Sequence, residues 1–127
     1  MTFFQKLIWI GTAGALGTLV RYGLSGFIQK TFGFGFPWGT LLVNMMGCFL
    51  FGLFWSLAEH RFTFGGEVRM IVLVGFLGSF TTFSSFAFET SQLLRDSQWL
   101  MAMGNLMAQN LIGITTLFLG LFLGRLL

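Results

Sequence analysis

The sequence predicts an all-α membrane protein with four spanning helices in a single domain over residues 1–127. Three observations predict it. The chain is 55% hydrophobic and only 9% charged, against roughly 25% charged in a soluble domain, so it lacks the polar residues to cover a water-facing surface. Charges are also spaced to suit a bilayer: no Asp, Glu, Lys or Arg lies between Lys30 and Glu59, Arg69 and Glu89, or Asp96 and Arg125. Finally, the apolar segments are continuous and lack the alternation, over about ten residues, of a barrel strand. A spanning helix needs about 20 apolar residues, so four fit, at about 4–30, 37–59, 68–94 and 98–125, and a fifth does not.

The first span holds Gly11, Gly14 and Gly17 and is interrupted only by Arg21. It is expected to stay in the protein rather than be cleaved as a signal peptide, because an arginine, not a small-residue cleavage site, follows the glycine-rich run. Residues 31–36 join it to the second span, where Pro37 suits the first helical position with Trp38 beside it. Residues 60–67 and 95–98 form the other two connections. Trp9, Trp38, Trp55 and Trp99 all fall near predicted span ends, as interfacial anchors should. Gly47 and Gly52 in the second span, with Gly104, Gly113, Gly120 and Gly124 in the fourth, are expected to let helix backbones approach closely.

Composition also excludes several functions. The basic pI comes from seven basic against four acidic residues scattered singly, so no nucleic-acid partner is expected. Cys48 is the only cysteine, which excludes an intrachain disulfide scaffold, and it reads as a small apolar packing residue. His60, the only histidine, lies at a predicted loop without metal-ligand or nucleophile spacing around it, so no enzyme is expected. Orientation is weakly specified: Lys6, Arg61, Arg69 and Arg125 fall at one end, and Lys30 and Arg95, with Arg21 leaning the same way, at the other. So small a bias under the positive-inside rule suggests that copies insert both ways and pair as an antiparallel dimer.

The third span carries the chemical signal. Residues 75–91 concentrate Gly75, Gly78, Ser79, Thr81, Thr82, Ser84 and Ser85 at mid-helix. Glycines followed by hydroxyls can break a membrane helix, because side-chain oxygens satisfy the freed backbone groups; a broken helix would expose carbonyls able to hold a cation. Hydroxyls bonding back to carbonyls one turn earlier are the alternative. Phe76, Phe80, Phe83 and Phe86 form one aromatic stripe at helical spacing. Ring edges carry partial positive charge and can face a desolvated anion, although such stripes commonly serve packing.

The run Gly78-Ser79-Phe80-Thr81-Thr82-Phe83-Ser84-Ser85-Phe86, with Glu89 after it, resembles the signature of the Fluc (CrcB-type) fluoride channels. Residues 14–22 resemble that family's first-helix motif, and residues 37–49, from Pro37-Trp38-Gly39 to Asn44 and Phe49, its second. The resemblance implies an antiparallel, dual-topology homodimer in the bacterial inner membrane, with a broken third helix and two passive fluoride pores. It implies a structural sodium ion held by backbone carbonyls, here those of Gly78 and Thr81. Phe83, Phe86, Asn44 and Ser84 correspond to pore positions, with Arg21 at the vestibule and Glu89 toward the other end. Phe80 has no pore role and is left to packing. In the fourth helix the family's hydroxyl track is replaced by Asn105 and Gln109, one turn apart, as candidate anion donors; buried amides also serve as interhelical glue.

Two rivals compete with the channel. A small dual-topology proton-coupled exporter needs a membrane-buried carboxylate, and the first span has none. A non-conducting scaffold subunit would not need Asn44 and hydroxyls among phenylalanines.

Overall fold

The computed structural model describes residues 1–127 as helices joined by short connections. Four helical stretches are long and apolar enough to cross a membrane: α1 (Phe3–Phe32), α2 (Trp38–His60), α3 (Gly66–Arg95) and α4 (Trp99–Leu126). The protein is therefore a multi-pass membrane protein.

Each helix end answers a local signal. Thr2 and Gln5 form a capping box at the start of α1, each side chain bonding the other's backbone N–H at 3.3 and 2.9 Å. Gly33, with φ of 93°, closes the helix in a conformation that disfavours residues with a Cβ. The α1–α2 connection is then stapled by Gln29, whose Nε2 donates to the Phe36 carbonyl at 2.8 Å and whose Oε1 accepts from Gly39 N–H at 3.0 Å. That second bond satisfies one of the donors that every helix N-terminus leaves free. Pro37 is the N-cap of α2 and Trp38 its first helical residue, one place later than the sequence predicts, since Pro37 has a non-helical ψ of 65°.

Helix α2 is the centre of the subunit, with Val43 wholly buried and Leu41, Asn44 and Ser56 each under a tenth exposed. It packs most extensively against the second half of α4. Glycines make that contact possible. A methyl on Gly120 would collide with the Phe49 carbonyl, and one on Gly52 with the Leu117 carbonyl. On the other side, Gly17 of α1 lies against Ser79 and the Phe76 carbonyl of α3. Not every glycine has that role: Gly104, expected at a helix contact, and Gly11 have no neighbouring atom within 4 Å of a Cβ position, because both face outward from the subunit.

Inside α3 the backbone departs from the α-helix twice. Residues Ile71–Leu77 form a π-helical turn, and Thr81 (φ −87°, ψ 157°) and Thr82 (φ −147°, ψ 117°) are extended between Phe80 and Phe83. The predicted single aromatic stripe is split as a result. Phe76 and Phe80 stack at 6.0 Å with near-parallel rings, and Phe80 joins Ile28, Val43, Leu73 and Leu77 in the core. Phe83 and Phe86 form a separate edge-to-face pair at 5.5 Å, because two extended residues reset the helical phase.

Candidate functional site

The extended pair needs new partners for its backbone groups, since an unpaired polar group away from water is costly. Asn44 of α2 supplies two. Its Oδ1 accepts from the Thr82 N–H at 2.8 Å, and its Nδ2 donates to the Thr82 carbonyl at 3.0 Å. Thr82 itself caps the helical stretch that follows, its Oγ1 accepting from the Ser85 N–H at 3.2 Å. Arg21 of α1 reaches across and donates its Nε to the Ser79 carbonyl at 2.9 Å. On the other side of the interruption, hydroxyls do bond back: Ser79 Oγ to the Gly75 carbonyl at 2.8 Å and Thr81 Oγ1 to that of Leu77 at 3.1 Å.

Helical carbonyls are released in the process, those of Gly78 and Thr81 among them. In an unbroken helix the N–H of Thr82 would go to Gly78 and that of Ser85 to Thr81. Both donors are diverted, the first to Asn44 and the second to the Thr82 hydroxyl.

A cavity of about 280 Å³ opens at this point. Asn44, Cys48, Thr82, Phe83, Phe86 and Gln109 are among its lining residues, and no charged side chain lines it. Gln109 reaches it from a π-helical turn of α4, Ala108–Ile112; such wide turns recur at functional sites. Its Oε1 accepts from Asn44 Nδ2 at 3.0 Å, while its Nε2 is buried without a hydrogen-bond partner. Phe86 is 6% exposed and Phe83 77%, so the ring pair is anchored at one member and open at the other.

Glu89 belongs to a different place. It lines a second cavity of about 370 Å³ with Gln29, Gln92 and Asp96. Thr40, itself buried, donates to Glu89 Oε1 at 2.7 Å, and the other carboxylate oxygen is buried without a partner. Ser84 is exposed, with its hydroxyl 3.4 Å from that of Thr82, and is not among the cavity's lining residues. Asn105 is not either: it is completely buried, and its Nδ2 donates to Thr90 Oγ1 at 3.0 Å, which in turn donates to the Phe86 carbonyl at 2.8 Å. The structure thus brings together Asn44, Thr81, Phe83, Phe86 and Gln109 and leaves Ser84, Asn105 and Glu89 apart from them. Thr82, Cys48 and Asn110 also line the first cavity. The hydroxyl-rich run pointed to Thr82, whereas nothing local to Cys48 or Asn110 marked them.

The family profile described as CrcB-like protein, camphor resistance (CrcB), matches residues 8–121. The chain belongs to the CrcB-like family. Within it, the chain is 56% identical over 124 residues to the fluoride-specific ion channel FluC of Nitrosococcus oceani, covering 98% of this chain and 99% of the relative. It is 51% identical over 123 residues to FluC of Desulforapulum autotrophicum, covering 97% and 98% of the two chains. A more distant relative, FluC of Magnetococcus marinus, is 39% identical over 123 residues, covering 97% of this CrcB-like chain and all of its own. These relatives are ion channels by name, not enzymes.

Proposed function

We propose that this CrcB-like protein is a passive, fluoride-selective channel that exports fluoride across the bacterial inner membrane. The observation that carries the proposal is an uncharged cavity: Gln109, whose Nε2 is buried and unpartnered, and the Phe83–Phe86 pair border a space lined by no Asp, Glu, Lys or Arg. Fluoride holds its water tightly, so a conducting site must replace that hydration with several donors and positive ring edges. It must also let go. A charged Lys or Arg at mid-membrane costs at least about 2.5–3.5 kcal/mol on insertion scales and would hold the anion strongly; conduction needs sites weak enough to leave. Names shared by relatives 56% and 51% identical over nearly the whole chain support fluoride as the ion.

The pore is completed in an antiparallel, dual-topology homodimer, with two pores per dimer. Phe83 is 77% exposed, and α1 is almost unburied within one subunit, with only Gly17 and Ile28 enclosed. Both features suit a second copy lying against this face. The extended Thr81–Thr82 pair serves as the third-helix break, and a structural sodium ion rests on the Gly78 and Thr81 carbonyls. Those two groups fit a cation because their helical donors are diverted, and no cluster of three His, Cys, Asp or Glu offers an alternative. When bound, sodium supplies a fixed positive charge that does not titrate. Arg21 and Glu89 lie at the two ends of the route, and Ser84 adds a hydroxyl near its dimer-facing side.

The proposal is tested by reconstituting purified protein in liposomes and following anion efflux with a fluoride electrode. Fast, passive efflux with fluoride favoured over chloride is the expected result. Strict dependence on a proton gradient would instead identify an exporter, and absence of flux a scaffold subunit.

A further inference from the structure

We infer that Gln109 is the side chain that offers N–H donors to the anion, and that Asn44 is a positioning residue that fixes which end of the Gln109 amide faces the cavity. The inference rests on the fluoride reading above and deepens it. The two ends of an amide have nearly the same shape, so its orientation follows from its partners. Here the chain of partners starts at a group that cannot be reversed. The Thr82 backbone N–H is a donor in any state, so the Asn44 atom 2.8 Å from it is the acceptor Oδ1. The other end of Asn44 is then Nδ2, and both its protons are committed, one to the Thr82 carbonyl and one to Gln109, each at 3.0 Å.

Gln109 is fixed in turn. Only its Oε1 can accept from Asn44 Nδ2, so Nε2 is the free end of the amide, buried and unpartnered on a residue that lines the cavity together with Phe83 and Phe86. Asn44 has no proton left for an anion; Gln109 has two. Carbonyl and N–H ends would favour opposite signs of ion, so the Thr82 peptide sets the sign of the cavity through two amides. Asn105, by contrast, donates to Thr90 and does not line the cavity.

Two measurements test this. In liposome efflux, Gln109→Leu removes the donors without adding charge and should slow fluoride efflux about ten-fold or more, as expected for losing a hydrogen bond to a charged partner. Asn44→Ser keeps a hydroxyl for the Thr82 N–H but falls short of Gln109, and should slow efflux in the wild-type background. In the Gln109→Leu background it should add about two-fold at most, since the residue it positions is gone. Equal fold-losses in both backgrounds would mean that Asn44 only supports the backbone, and unchanged efflux in Gln109→Leu would remove Gln109 from the anion path; either overturns the inference while wild-type efflux leaves the channel standing.

The second measurement does not need flux. In protein carrying ¹⁵N in its glutamine side chains, the Gln109 amide signal is identified by its loss in Gln109→Leu. Sodium fluoride, but not sodium chloride at equal ionic strength, should shift it in the wild type, and the shift should shrink in Asn44→Ser. A Gln109 signal indifferent to fluoride overturns the inference whether or not the liposomes conduct, and silent liposomes overturn the channel reading.

Discussion

Gly120→Ala adds one methyl group where α4 crosses α2, and the structure gives its consequence. The new Cβ would collide with the Phe49 carbonyl and lie 2.8 Å from the Leu53 nitrogen and 3.1 Å from the Phe49 carbonyl carbon. All three are backbone atoms in the middle of α2, so no side chain can rotate away. Ordinary contact begins near 3.4 Å, and α4 would have to retreat by more than half an ångström along the most extensive helix contact in the subunit. Overpacking of this kind costs about 1–3 kcal/mol, while alanine returns up to about 1 kcal/mol of helix propensity. A backbone clash that no side chain can relieve puts the cost near the upper end, so the net expectation is a loss of about 2 kcal/mol. Gly104→Ala is the internal comparison: with nothing within 4 Å of the added atom, it should be neutral or stabilising by up to about 1 kcal/mol. Thermal unfolding in detergent, followed by helical circular dichroism, reads both. A Gly120→Ala protein that melts with or above the wild type would refute the steric argument.

Three further outcomes follow from the site. Phe83→Ile and Phe86→Ile each remove a ring edge and should cut fluoride efflux strongly in liposomes; only Phe86→Ile, at a position 6% exposed, should also lower the melting temperature. Arg21→Met keeps the length of the side chain but withdraws the donor from the Ser79 carbonyl, and a hydrogen bond from a charged group is worth about 1.5–3 kcal/mol; denaturation in detergent should show a loss of that order. Thr40→Val leaves Glu89 without its 2.7 Å hydrogen bond and should destabilise the protein, whereas Thr40→Ser, which keeps the hydroxyl, should behave nearly as wild type in the same assay.

The spans were legible in the sequence because one quantity, the spacing of charges, decides which segments can enter lipid. Their ends lie within a few residues of the charges that bound them, such as Lys30 near Phe32 and Arg95 at the close of α3. Close-approach glycines were legible as a class but not one by one. Gly120 and Gly104 look alike in the chain, and only the position of α2 separates them. The π-helical turns at Ile71–Leu77 and Ala108–Ile112 carried no signature, since a wider turn changes no residue type. That omission mattered at Gln109, whose direction depends on the turn it stands in. Asn105 shows what spacing alone leaves out. An amide one helical turn from Gln109 reads as part of the same polar face, yet it donates to Thr90 inside the α3–α4 helix pair and is completely buried.

What local sequence cannot express is the sign of a neutral cavity. Asn and Gln each carry a donor and an acceptor, so their presence among phenylalanines says that a site is polar without saying for which ion. A free amide in such a site could turn either end inward and would discriminate poorly between anion and cation. Discrimination requires that rotation be blocked, and blocking it requires a partner whose own polarity is beyond choice. A backbone N–H is such a partner, but a regular helix consumes its N–H groups internally. The extended pair at Thr81 and Thr82 releases one at the depth of the cavity, where Asn44 meets it. The interruption in α3 therefore does more than bare carbonyls on one side. On the other it supplies the fixed donor from which the polarity of Asn44 and then of Gln109 follows, so restoring regular helix at Thr81 and Thr82 should alter the fluoride-over-chloride preference of liposome efflux even with Asn44 and Gln109 in place.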